Sequence, residues 1–60
     1  MRVAELLKII KADGWRFERH GKRHDVYSHP TKKGALQIER HAKEVAKGTL
    51  DKLLKDAGLK

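Results

Sequence analysis

The 60-residue sequence predicts an α+β fold of order αβββα, with two helices on one face of a three-stranded antiparallel sheet. Three observations predict it. Apolar residues recur at helical spacing near both ends of the chain. Between those ends they alternate with charged residues at period two, and segments rich in glycine, proline and lysine punctuate the pattern.

Val3, Leu6, Leu7 and Ile10 stand at i, i+3, i+4 and i+7, one stripe of a helix from about Arg2 to Asp13. Gly14 follows as its left-handed C-terminal cap. Trp15 and Phe17 then alternate with Arg16 and Glu18, as in a strand with one buried face. His20-Gly21-Lys22 supplies a hairpin turn into a second strand within Arg23 to His29, where Val26 and Tyr27 are strand formers. The register of that strand stays open: if Val26 faces the helices, His24 and Ser28 share its side, and if Tyr27 does, Asp25 and His29 share it. Pro30 ends the strand, Thr31-Lys32-Lys33-Gly34 turns the chain, and Leu36 and Ile38 define a third strand at about Ala35 to Ile38. Arg40 to Gly48 reads as a basic connector with room for one helical turn. The second helix repeats the first spacing in Leu50, Leu53, Leu54 and Ala57, with Thr49 as N-cap, Gly58 as terminator and Leu59 folding back. Neither helix can hide its stripe alone, so both lie across one sheet face, and the other face is left to solvent or a ligand. Trp15 and the apolar stripes belong to the core.

Composition bounds the function. A chain of this length is a single domain, residues 1–60, and buries only about 60% of its unfolded surface, which excludes a large substrate cavity. With no cysteine it has neither a disulfide framework nor a thiolate metal site, in keeping with a reducing compartment. No apolar run approaches the roughly 18 residues of a spanning helix, and Met1 leads directly into an amphipathic pattern. The expectation is a soluble, cytoplasmic protein with no membrane association. A formal charge of +7 favours a polyanionic partner, whether nucleic acid, anionic membrane or acidic protein. Residues 14 to 48 hold nine basic and four acidic side chains, a surplus of five, so the middle of the chain carries the partner-facing charge.

The four histidines are the candidates for chemistry, because imidazole exchanges protons nearest neutral pH. His24 sits just past the hairpin turn beside Lys22 and Arg23, where cations hold a phosphate within reach of the ring. Metal-free RNA cleavage needs that combination. A base takes the 2′-OH proton, the oxygen attacks the adjacent phosphorus, an acid protonates the departing 5′-oxygen, and cations stabilise the anionic phosphorus centre. The substrate supplies the nucleophile, so a short chain without paired acids or metal ligands suffices, and RNA is the substrate instead of DNA. Against this stands the plain reading of a histidine beside a basic turn as a polar surface residue. His29 before Pro30 reads as a strand-ending hydrogen-bonding residue, His20 as a turn residue and His41 as part of the connector. His20 and His24 are four apart, but that spacing converges two rings on a metal only in a helix, and Gly21 breaks the segment. No metal or cofactor is expected. Arg16, Arg19, Lys22, Arg23, Lys32, Lys33, Arg40, Lys43 and Lys47 are candidates for a phosphate-binding surface, although such charge also serves solubility.

Four stretches together resemble the HicA family of toxin ribonucleases. They are the opening helix ending in Asp13-Gly14-Trp15, the central His24-Asp25-Val26-Tyr27-Ser28-His29-Pro30, the strand after Lys32-Lys33-Gly34, and Lys47-Gly48-Thr49-Leu50 through Asp56-Ala57-Gly58-Leu59. The resemblance spans nearly the whole chain. It implies a double-stranded-RNA-binding-domain-like fold, an mRNA-cleaving activity that halts translation, neutralisation by a HicB-like antitoxin, and His24 as the catalytic residue. Arg19, Lys22, Arg23, Lys32, Lys33, Arg40 and Lys43 are then the expected RNA-binding residues. Two departures stand out. The family's Gly-Ser-His is here Gly21-Lys22-Arg23-His24, which tilts the imidazole or replaces a hydroxyl contact by a cation. The proline common after the third strand is Glu39, a carboxylate that repels RNA or assists proton transfer.

Two other classes fit the same sequence. A non-catalytic RNA-binding module needs only phosphate and 2′-OH contacts. A protein-interaction unit would dock an acidic partner on the basic surface, with fast, salt-dependent association.

Overall fold

The computed structural model describes residues 1–39 and 42–60. Its elements are α1 (Val3–Ala12), β1 (Arg16–His20), β2 (His24–Ser28), β3 (Ala35–Glu39) and α2 (Lys47–Asp56), the expected αβββα order. The strands form one antiparallel sheet in the order β1-β2-β3.

Leu6 and Ile10 of α1 and Ala57 at the end of α2 meet Trp15, Tyr27, Leu36 and Ile38 in a single buried cluster, flanked by Val3, Leu7, Leu50, Leu53 and Leu54. Both apolar stripes therefore converge on the same sheet face. Tyr27 pairs with Leu36 across β2 and β3, so the register resolves in favour of Tyr27 facing the helices. Asp25 and His29 follow it, whereas His24, Val26 and Ser28 face the opposite side with Gln37 and Glu39. Val26 is nonetheless buried, beneath the polar side chains of that second face. Burial of Tyr27, with Asp25 nearby, raises its phenol above the ordinary value and keeps it neutral.

Both helices end in the same way. Gly14 and Gly58 adopt positive φ (109° and 75°). Trp15 N–H donates to Ile10 C=O at 3.0 Å and Leu59 N–H to Leu54 C=O at 2.8 Å. Gly14 and Gly58 N–H each reach the carbonyl three residues back at 3.0 Å, which completes two Schellman motifs. In the first, Trp15 is the apolar residue that folds back onto the helix it follows.

Three sequence expectations need correction. The alternation of Trp15 and Phe17 does not mark a half-buried strand: every residue of β1 is exposed, and Phe17 remains 47% exposed at the sheet edge. A register shift between Phe17 and Arg19 breaks the simple period there. Thr49 is not the N-cap of α2, because the helix starts earlier, at Lys47, with Ala46 in the capping position. The connector forms no helical turn among its described residues before that start. It runs back along the chain's beginning instead, with Val3 N–H bonded to Lys43 C=O at 2.9 Å and Val45 N–H to Met1 C=O at 2.8 Å.

Candidate functional site

The β1–β2 hairpin presents His24. Gly21 and His24 stand opposite each other, with Gly21 N–H donating to His24 C=O at 2.7 Å, so Lys22 and Arg23 form the two-residue tip. A Cβ on Gly21 would lie 2.9 Å from that carbonyl oxygen, which explains a glycine at the hairpin's neck. The His24 side chain emerges on the face opposite the core, partly exposed, directly across from Glu39 of β3. Its ring makes no hydrogen bond to another described residue.

An open groove of about 520 Å³ runs along this face, lined by Arg19, Lys22, Arg23, His24 and Gln37 over a floor of Val26. Arg19 pairs in register with Val26 and shares its charge with Glu18. Four residues singled out in the sequence thus converge: Arg19, Lys22, Arg23 and His24. Gln37 was missed, and the only sequence signal for it was its outward place between the inward Leu36 and Ile38.

Other expected contacts lie elsewhere. Lys33 is exposed in the β2–β3 turn, at the far end of β2 from His24. Lys43 is exposed on the connector beside the start of α1. Arg40 and His41 lie outside the described residues. His20 points to the core side of the sheet, where its Nδ1–H donates to Asp25 Oδ1 at 2.7 Å and its ring packs on Phe17. His20 and His24 therefore occupy opposite faces and cannot share a metal ion. Among the described residues, no three histidine, aspartate or glutamate side chains form a metal-holding group.

Lys32 has a structural task. Its Nζ donates to Asp13 Oδ2 at 2.5 Å and to Ala57 C=O at 2.9 Å, tying the end of α1, the β2–β3 turn and the end of α2 together. His29 completes the junction. The backbone N–H groups of Thr31 and Lys32 both donate to its Nδ1, at 3.1 and 3.2 Å, which fixes the proton on Nε2. That Nε2–H donates to Asp13 C=O at 2.7 Å, and the ring stands edge-on to Trp15. A Cβ on Gly14 would come within 2.8 Å of Nε2, so the glycine is required by space as well as by φ.

The ammonium of Lys32, bonded to Asp13, holds that carboxyl below its ordinary value of 3.8, with desolvation opposing. A depressed carboxylate contributes stability that is complete above its unfolded pKa and disappears as pH falls through the folded one. Acid unfolding of wild type is therefore expected to begin near pH 4 and continue below it. In Asp13→Asn that part of the pH dependence should be missing, as followed by circular dichroism across an acid titration.

No helix among the described residues is long and apolar enough to cross a membrane. The search of curated proteins found no match. The family model described as the HicA toxin of bacterial toxin–antitoxin systems, by contrast, matches residues 3–59. That match takes in both helices, all three strands, the basic hairpin and His24, and the chain belongs to the HicA toxin family.

Proposed function

We propose that this toxin is a metal-independent endoribonuclease that cleaves mRNA, with His24 as general acid or base. The observation that carries the reading is the position of His24 in an open groove flanked by Arg19, Lys22 and Arg23, on the face away from the core. A phosphodiester held by those cations lies within reach of the imidazole. In the reaction, a base withdraws the 2′-OH proton, the 2′-oxygen bonds to phosphorus, and the P–O5′ bond breaks as an acid protonates the leaving oxygen. Arg19, Lys22 and Arg23 stabilise the crowded phosphorane. His24 supplies one of the two proton transfers; the partner group for the other is unassigned. Tyr27 is not that partner, since its side chain is buried on the opposite face.

The groove also suits a protein that holds RNA without cutting it, because phosphate contacts alone give affinity. Incubating the purified protein with RNA in excess chelator separates the two. Cleavage products are expected; a salt-sensitive mobility shift with intact RNA would replace the enzyme with a binding module. Neutralisation is assigned to a HicB-like antitoxin, for which the +7 chain offers complementary charge to an acidic partner.

A further inference from the structure

His24 and Gln37 line a second groove, on the opposite side of Gln37 from the hairpin. Its far wall is α2, which contributes Thr49, Lys52 and Asp56. The hairpin groove and the α2 groove share His24 and Gln37, so together they form one path across the sheet face with the imidazole at its middle. An RNA strand cut at His24 must extend on both sides of the cut. The hairpin cations serve only one side.

We infer that Thr49 and Lys52 of α2 form a second RNA subsite, which holds the phosphate on the side of the scissile bond away from the hairpin. This rests on the ribonuclease reading and extends it to substrate length. Lys52 is exposed and makes no ion pair with another described residue, unlike Lys32 and Lys60, which bind Asp13 and Asp51. The hydroxyl of Thr49 stands one helical turn before it in the same groove and can donate to a phosphate oxygen. Asp56 lies one turn beyond Lys52 and repels a phosphate there, which confines the anion to the segment between His24 and Lys52. Among the described residues no Phe, Tyr or Trp lines either groove, so affinity comes mainly from phosphate contacts instead of base stacking.

The test uses a labelled single-stranded 2′-O-methyl oligoribonucleotide, which is bound but not cut, and measures its Kd between 50 and 200 mM salt. For Lys52→Ala the slope of log K against log salt should shrink by about 0.7, the loss of one phosphate contact to a single strand. Lys55→Ala, on the same helix but lining neither groove, should leave the slope unchanged. Equal slopes for Lys52→Ala and Lys55→Ala, with wild type binding normally, would overturn the subsite and leave the ribonuclease reading standing. Absence of binding by wild type would overturn both.

Discussion

Replacing His29 with alanine is expected to cost about 2–4 kcal/mol of stability, a large loss for one side chain in the junction between the helix ends. The ring accepts from two backbone N–H groups and donates to the Asp13 carbonyl, and its side chain is only 8% exposed. Alanine leaves those groups without partners and removes the edge contact to Trp15. A domain of this size has a total stability of only about 3–9 kcal/mol, so much of the margin disappears. In thermal melts the midpoint should fall by roughly 10–25 °C. Asparagine, whose amide oxygen can take the place of Nδ1, should recover part of the loss. A midpoint within a few degrees of wild type for His29→Ala would show that the junction contributes little.

His24→Ala is expected to do the reverse, leaving the fold intact while removing the activity. The side chain lies partly exposed on the face opposite the buried cluster, so stability should change by no more than about 0.5 kcal/mol. Loss of a positioned general acid or base lowers rates by about 10²–10⁴-fold. Induced expression of wild type should therefore arrest growth, whereas cells expressing His24→Ala at equal level should grow as uninduced controls do. The two histidines lie five residues apart and on opposite faces, so the two variants are expected to separate a loss of stability from a loss of activity. Arrest by His24→Ala as strong as by wild type would remove the imidazole from the mechanism.

The elements were legible because periodicity reports burial directly. The stripes at Val3-Leu6-Leu7-Ile10 and Leu50-Leu53-Leu54-Ala57 became the two helices, and the glycines placed after them became positive-φ caps. The register of β2 was not legible, because Val26 and Tyr27 are adjacent, both apolar enough to face inward, and both buried. Only pairing with Leu36 and Ile38 on β3 decides between them. Phe17 misled for a related reason: alternation at an edge strand follows propensity without guaranteeing a partner layer. Among the cations, Lys22 and Arg23 were legible because they adjoin His24 in sequence. Lys32 was not, because its contacts to Asp13 and Ala57 span 19 and 25 residues of chain. Lys52 escaped notice for the same reason, since it reaches the His24 path only through the packing of α2 beside β3.

The central claim is that one imidazole on the exposed sheet face moves a proton while the RNA attacks itself. Its most direct test compares initial cleavage rates of one labelled oligoribonucleotide by purified wild type and His24→Ala, in excess chelator and at matched circular dichroism. The account predicts cleavage by wild type and a rate at least about 100-fold lower for the variant. Equal rates for the two proteins would contradict it.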